Sequence, residues 1–317
     1  MYTIGIDLGG TNIATAVVDE HYNIIGKGTM PTNAPRPGEQ IAQDMVKTID
    51  AACADAGIRL DDVAWIGVGT PGTVNQTNGM IEYACNLGFE NVPMKAMIEQ
   101  LTGKQCFMEN DANAAAYGEF IAGAGRGTSS LVAITLGTGV GGGVIIDGKI
   151  FSGSNYCGTE LGHTCIILNG EVCGCGRTGC WEAYASATAL IRQTKAAMQA
   201  HPESEMWKLA PTLEQVDGKT AFDGWRAGDT AATQVVNQYI EYVACGIVDM
   251  INIFQPDLLC IGGGISKEKD NLLIPIQKYV EKNRYSKHTA KQTEIKIAEL
   301  GNDAGIIGAA MLGLLAK

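Results

Sequence analysis

Positive charge is scarce in this sequence. Among 317 residues, 23 lysines and arginines stand against 34 aspartates and glutamates, a formal net charge of −11. Binding a nucleic-acid backbone or an anionic membrane surface needs a basic face, so neither partner is expected. Long apolar runs are also lacking. No stretch approaches the roughly 18 residues that read as a membrane-spanning helix. The opening M-Y-T-I-G-I-D reads as a strand rather than a signal peptide. The ten cysteines do not sit in a short secreted chain, where they would suggest a disulfide framework. A reducing cytoplasm is therefore the expected location. What is abundant is apolar side chain, 46% of residues, enough to bury sizeable cores. A chain of 317 residues suggests two domains.

The most informative stretch runs from Glu160 to Glu182, E-L-G-H-T-C-I-I-L-N-G-E-V-C-G-C-G-R-T-G-C-W-E. His163, Cys173, Cys175 and Cys180 have the composition of a Cys₃His tetrahedral site, with Zn²⁺ the expected ion. Four protein ligands close the coordination sphere, so the ion would be structural. Gly174, Gly176 and Gly179 let the backbone turn tightly between them. Glu160 and Glu182 flank the knot and would be positioned by it. Reduced cysteines scattered in a glycine-rich loop would rarely include a histidine and a C-x-C-x₄-C.

The rest of the chain alternates apolar runs with glycine turns. Ile4 to Asp19 reads as a hairpin whose turn holds Gly9, Gly10, Thr11 and Asn12, with Asp7 just before it. Such glycines let backbone N–H groups approach a phosphate, and Asp7 could hold a metal-bound water. Thr29 to Pro37 reads as a polar connector with three prolines, and Glu39 to Ala56 as an amphipathic helix closed by Gly57. Val63 to Val68 reads as a strand opening into G-T-P-G at residues 69 to 72, with Asn86 and Leu87 in the loop beyond. A short helix is expected from Val92 to Leu101. The M-E-N-D-A-N-A-A-A-Y-G-E run, residues 108 to 119, joins a strand end to a helix over Ala112 to Phe120. Asn110 or Asp111 would cap that helix. A carboxylate at such a junction is equally suited to accept a proton from a substrate hydroxyl.

A second hairpin, Leu131 to Asp147, carries L-G-T-G-V-G-G-G and echoes the first. Ile6, Leu8, Gly9, Val17, Val18 and Asp19 fall on Ile134, Leu136, Gly137, Ile145, Ile146 and Asp147. The D-V-A-W-I-G-V-G at 62 to 69 has its own echo, D-L-L-C-I-G-G-G at 257 to 264. The expectation is a duplicated α/β fold, two domains with a cleft between them and a glycine hairpin from each. Residues 183 to 255 read mainly as helices broken by Pro202, Pro211, Gly218 and Gly224, with Gly228 and Asp229 capping a long one through Met250. A helix from Asn271 to Lys282, a strand from Glu294 to Ala298 and a final helix capped by Asn302 and Asp303 complete the chain. The small residues of that last helix allow close packing back onto the first half.

Assembled, these motifs resemble the ROK family of sugar kinases, open reading frames and repressors. D-L-G-G-T-N and L-G-T-G-V-G-G-G look like its two phosphate motifs, E-N-D-A-N-A-A-A-Y-G-E like its catalytic motif, and I-G-G-G-I-S like its adenosine motif. E-L-G-H followed by C-G-C-G-R-T-G-C-W-E is similar to its sugar and zinc signature. The similarity is greatest to the family's bacterial glucokinases. It implies a duplicated actin-like ATPase fold of the ribonuclease H-like kind, with ATP and Mg²⁺ as cofactors beside the structural Zn²⁺. The implied reaction is phosphorylation of glucose at its 6-hydroxyl.

Asp111 is then the general base. Asp7, Gly9, Gly10, Thr11, Asn12, Gly137, Thr138 and Gly139 surround the phosphates, and Gly263 and Gly264 the adenosine. Asn110, Asp111, Glu160, His163 and Glu182 bind the sugar, together with Gly72 and Asn86. By the same resemblance His163 serves twice, one ring nitrogen on the metal and one on a hydroxyl. Two positions depart from the family's habit. Thr159 stands where glycine is usual before the glutamate, and Trp181, where leucine is frequent, would alter the pocket wall. The expected division is a small domain of 1–114 with 303–317 and a large one of 115–302. The expected assembly is a homodimer or homotetramer. Mannose, fructose, allose or an N-acetylhexosamine are alternative sugars and polyphosphate an alternative donor. A sugar-responsive regulator is the reading from another class.

Overall fold

The computed structural model describes residues 1–316. β1 (Tyr2–Leu8) and β2 (Asn12–Val18) form the first hairpin, in register from Thr3↔Val18 to Leu8↔Ile13. β3 (Ile24–Pro31) lies antiparallel on β2. α1 (Gly38–Ala56) ends at Gly57, whose φ of 68° is the left-handed cap that glycine supplies without strain. β4 (Val63–Thr70) runs parallel to β1. β5 (Thr73–Asn75), β6 (Met80–Ala84) and β7 (Phe89–Val92) build a small antiparallel sheet. α2 (Met94–Thr102), β8 (Cys106–Asn110) and α3 (Asp111–Ile121) follow, β8 parallel to β4.

β9 (Leu131–Leu136) and β10 (Val140–Ile146) are the second hairpin, extended by β11 (Lys149–Ile150). The helices are α4 (Glu182–Ala185), α5 (Ala187–Ala200), α6 (Met206–Leu209), α7 (Thr220–Arg226) and the long α8 (Thr230–Phe254). Asp229 caps α8 by accepting the Ala232 N–H. β12 (Leu258–Gly262), α9 (Asp270–Asn283), β13 (Glu294–Ile297) and α10 (Ala304–Met311) end the fold.

The two five-stranded sheets have the orders β3-β2-β1-β4-β8 and β11-β10-β9-β12-β13. Strand for strand these are the same order, so the echoes in the sequence are a real topological duplication. Central strands such as β1 are buried on both faces, which is why they read as near-continuous apolar runs. α1 lays Ile41, Met45 and Ile49 against Ile4, Ile6 and Leu8 in one apolar core.

Close packing of α10 depends on glycine. A side chain on Gly5, Gly67 or Gly118 would run into the carbonyl oxygens of Ile306, Ala309 or Ala304 respectively. Trp65 on β4 donates its indole N–H to the Ala310 carbonyl at 2.8 Å. The last helix therefore belongs with the first half, as its small residues suggested.

The chain forms two compact units. Unit 1 comprises Met1–Ala133, Gly143–Thr159 and the segment from Glu299 on, and unit 2 comprises Ile134–Gly142 and Glu160–Ala298. The borders expected from sequence, 114/115 and 302/303, both fall inside unit 1.

Several local expectations change. Thr29 to Pro31 belong to β3, because their backbones pair with β2 and Pro31 sits at the strand's last position. Residues 73 to 92 form the small sheet, with Asn86 and Leu87 in a 3₁₀ turn. Val92 pairs with Ile81 as strand, since Pro93 biases the preceding residue toward extended backbone; the helix starts at Met94. Gly224 lies inside α7, where a Cβ would come within 2.8 Å of Ala232 Cβ and Met206 Cγ. Asp303 precedes α10 without a side-chain cap bond and instead pairs with Lys27 at 3.2 Å.

Candidate functional site

On unit 1 the parallel register decides what meets at the strand ends. Asp7 on β1 lies beside Gly69 on β4, and Thr70 on β4 beside Asn110 on β8. The C-terminal edge of parallel strands is where α/β folds place their ligands. Immediately after β1 the first hairpin turns. The Gly9 N–H bonds the Asn12 carbonyl at 2.9 Å, and the Gly9 carbonyl accepts the Thr32 hydroxyl at 2.6 Å. The Thr32 N–H bonds the Thr11 carbonyl at 2.8 Å. Gly10 faces Asn86 so closely that a Cβ would lie 3.1 Å from the Asn86 carbonyl oxygen. The structure thus joins Asn86 to the first glycine turn, while Thr11 and Asn12 stand exposed.

Asn110 and Asp111 divide the junction between them. Asn110 is the N-cap: its side-chain oxygen accepts the N–H groups of Ala112 at 2.9 Å and Asn113 at 3.2 Å. Its amide nitrogen donates to the Gly72 carbonyl at 3.1 Å, which fixes the G-T-P-G turn. Asp111 is the first helical residue, and its carboxylate accepts the Ala112 N–H at 2.8 Å. Burial raises the Asp111 pKa, opposed by that backbone bond. Asp7 is pushed up to about 6, first by burial and then by the nearby Asp111 charge. Two carboxylates close enough to repel make a natural seat for a divalent cation and a proton acceptor.

Sequence reasoning missed a buried network beside them. Glu109, 4% exposed, accepts from the Asn110 N–H at 2.8 Å, Asn113 Nδ2 at 3.1 Å and Gln76 Nε2 at 2.5 Å. Gln76 Nε2 also bonds Ser152 Oγ at 3.0 Å, and Thr159 Oγ1 donates to Asn113 Oδ1 at 3.3 Å. Burial pushes the Glu109 carboxyl up to about 7, its hydrogen bonds opposing. The available signal was a glutamate ending an apolar strand. Thr159 has φ 63°, a left-handed backbone rare for a β-branched residue and natural for the glycine usual in the family.

On unit 2 the second hairpin is held from α5. Ala187 N–H bonds the Gly137 carbonyl at 2.8 Å, and the Thr188 hydroxyl the Thr138 carbonyl at 2.8 Å. Gly263, at φ 86°, presses on the Leu136 backbone so tightly that no side chain fits. This brings Gly137, Thr138 and Gly139 beside Gly263 and Gly264. Gly139 in turn abuts Glu182, whose Oε2 accepts the Val140 N–H at 3.0 Å. Glu182 therefore connects the hairpin to the cysteine loop.

In that loop one ligand atom each of His163, Cys173, Cys175 and Cys180 lies within 4.8 Å of all the others. Cys173 Sγ is 3.6 Å from His163 Nδ1, and Cys175 Sγ is 3.7 Å from Cys180 Sγ. Zn–S bonds of about 2.3 Å in a tetrahedron place sulfurs about 3.8 Å apart, so the donor set fits Zn²⁺. Burial pushes the Cys173 thiol up to about 12 and raises Cys180, whereas a backbone bond from Arg177 lowers Cys175. A bound dication would deprotonate all three. It would also release Glu182 Oε1, which accepts from the Cys173 thiol at 3.5 Å. Glu160 precedes the 3₁₀ turn carrying His163 and is exposed. Trp181 is fully buried, donating to the Tyr242 carbonyl at 2.9 Å and packing on Gly246. It is a core residue of unit 2 rather than a pocket wall.

The profile of the ROK family matches residues 3–315. A glucokinase of Thermotoga maritima is 36% identical over 310 residues, 98% of this chain and 96% of its own length. An N-acetylmannosamine kinase of Haemophilus influenzae is 32% identical over 313 residues, 98% of this chain and 94% of its own. Among solved structures, the ROK family glucokinase from Streptomyces griseus in complex with glucose and AMPPNP matches with a TM-score of 0.81 and 35% identity, covering 98% of this chain and 99% of that one. The duplicated sheets are thus the actin-like fold of ROK kinase structures. Because the match runs from residue 3 to residue 315, it takes in both units, and the chain belongs to the ROK family.

Proposed function

We propose that this protein is an ATP-dependent sugar kinase that phosphorylates glucose at its 6-hydroxyl. The observation that carries the reading is Asp111: a carboxyl whose pKa burial raises, set at a strand-to-helix junction by a neighbour that does the capping, and close enough to Asp7 for its charge to raise the Asp7 pKa. A sugar hydroxyl is a weak nucleophile at neutral pH. Asp111 orients it and accepts its proton as the phosphoryl group arrives, and a raised pKa suits that task. ATP with Mg²⁺ supplies the phosphoryl group and neutralises its charge. Asp7, with the Gly9–Asn12 turn, would hold the cation and phosphates, together with Gly137, Thr138 and Gly139. Gly263 and Gly264 would lie against the adenosine.

The proposed sugar ligands are Asn110, Glu160, His163 and Glu182, with Gly72 and Asn86 as supporting positions. His163 would give Nδ1 to the structural Zn²⁺ and Nε2 to a hydroxyl. The metal then fixes the imidazole tautomer. The kinship with an N-acetylmannosamine kinase favours a second reading, another hexose in the same hydroxyl-binding set. Cytoplasmic location and a homodimer or homotetramer complete the proposal. Among the described residues no helix is long and apolar enough to cross a membrane.

The test is ADP release from Mg-ATP with a panel of glucose, mannose, fructose, allose, N-acetylglucosamine and N-acetylmannosamine, the product being located by NMR. Glucose should give the highest kcat/KM. Preference for another hexose would replace the substrate. Turnover of none, with sugar binding intact, would favour a regulator.

A further inference from the structure

The buried carboxylate of Glu109 has no part in the chemistry just described, yet three hydrogen bonds within unit 1 converge on it. Its partners are all donors. Oε1 accepts from the Asn110 N–H and from Asn113 Nδ2, and Oε2 from Gln76 Nε2. These bonds point in two directions. The first pair grips the turn carrying Asn110 and Asp111. The third runs through Gln76 to Ser152, which is 7% exposed.

From Ser152 to Thr159 the chain is a strap without helix or strand, stitched down by side chains. Tyr156 OH meets Thr77 Oγ1 at 2.6 Å, Cys157 Sγ meets Thr73 Oγ1 at 3.5 Å, and Thr159 bonds Asn113 at 3.3 Å. Asn113 therefore receives the strap through its oxygen and Glu109 through its nitrogen. Glu160, a proposed sugar ligand, follows Thr159 directly in the chain. We propose that Glu109 is a positioning residue, which through Gln76 and Asn113 sets the Asp111 turn and the Ser152–Thr159 strap in one fixed relation.

The inference rests on the kinase reading for its kinetic readout only. What matters at position 109 is acceptance of hydrogen bonds, not charge. An amide can replace the carboxylate if Gln76 rotates its own amide, so that Gln76 Oε1 accepts where Nε2 had donated; the Ser152 hydroxyl can then donate. A leucine takes the acceptor away from the Asn110 N–H and the buried Asn113 amide, and leaves Gln76 Nε2 with Ser152 alone. The experiment compares Glu109→Gln, Glu109→Leu and Gln76→Leu by steady-state kinetics and by amide hydrogen exchange over residues 152–160. Glu109→Leu should lower kcat about 10–100-fold, the scale of a roughly 1 Å misplacement of a reacting group. Glu109→Gln should restore it to within about threefold.

Gln76→Leu cuts only the strap connection. It should raise exchange over 152–159 about tenfold and raise the KM for sugar more than it lowers kcat. It also keeps the idea testable should Glu109→Leu not fold. Three results would overturn the assignment: parental kcat in Glu109→Leu, a loss in Glu109→Gln as deep as in Glu109→Leu, or unchanged strap exchange in Gln76→Leu. If no sugar is turned over, the kinase reading fails, but the exchange measurements still judge the strap.

Discussion

Asp7 should make the free protein less stable at neutral pH than it could be, and Asp7→Asn should reveal by how much. The folded state raises this carboxyl from 3.8 to about 6. Burial is the main cause, and the charge on Asp111 makes Asp7 the later of the pair to ionise. A raised acid pKa means that the folded state holds the proton more tightly than the unfolded one. The group's favourable contribution is therefore complete below pH 3.8 and is lost as pH climbs toward 6. Each tenfold change in proton affinity is about 1.4 kcal/mol, so full loss is worth about 3 kcal/mol at most. Partial solvent access reduces this to about 1–2 kcal/mol.

Asparagine has the shape of the protonated acid and never ionises. Asp7→Asn should therefore melt about 2–8 °C above the parent at pH 7.5, at about 2–4 °C per kcal/mol for a unit of this size. At pH 4 the two melts should nearly coincide. Asp111 and Glu109 are present in both proteins, so the difference isolates Asp7. Saturating Mg-ATP should stabilise the parent more than the variant, since the bound cation favours the ionised carboxylate. A variant no more stable at pH 7.5, or more stable by the same margin at pH 4, would refute the reasoning.

Asp111→Asn should lower kcat by about 10²–10⁴ with a melt at neutral pH no lower than the parent's, because Asn110 supplies the cap and burial already disfavours the Asp111 charge; turnover within about threefold of the parent would remove Asp111 as the base. Elemental analysis should find about one Zn²⁺ per chain, and Cys175→Ala should lose metal and activity together; metal-free active protein would contradict this. Gly67→Ala, which drives a methyl into the Ala309 carbonyl, should destabilise by about 1–3 kcal/mol. A neutral effect in chemical denaturation would mean that α10 sits farther from β4 than described.

What could be read from sequence was what repeats or clusters locally. The two hairpins stand out because each puts an alternating strand on both sides of a glycine turn. The metal loop stands out because its ligands fall within 18 residues, from His163 to Cys180. Position within a motif did not reveal who caps α3. Asn110 and Asp111 are both good N-caps, and only the strand's end point decides between them. The β5–β7 sheet was hidden because its strands are three to five residues long and mix polar with apolar positions. Gly224 read as a breaker because packing against Met206 and Ala232 overrides propensity. Of the Glu109 network the sequence offered a glutamate near the end of an apolar strand but not its partners, because Gln76, Glu109 and Ser152 are neighbours only after folding.

The position of α10 also bears on how the protein is made. Synthesis delivers β1, β4 and α3 early, and the helix that fits their glycines some 180 residues after the first unit 1 segment ends at Ala133. At about 5–20 residues per second that interval is about 10–35 s. During it, Gly5, Gly67 and Gly118 line a surface with no cover, while nearly all of unit 2 emerges as one uninterrupted stretch and can close by itself. A nascent chain stopped before Gly301 should accordingly show a protease-resistant unit 2 beside a cleavable unit 1. Unit 1, whose first segment is made before unit 2, would be completed after it.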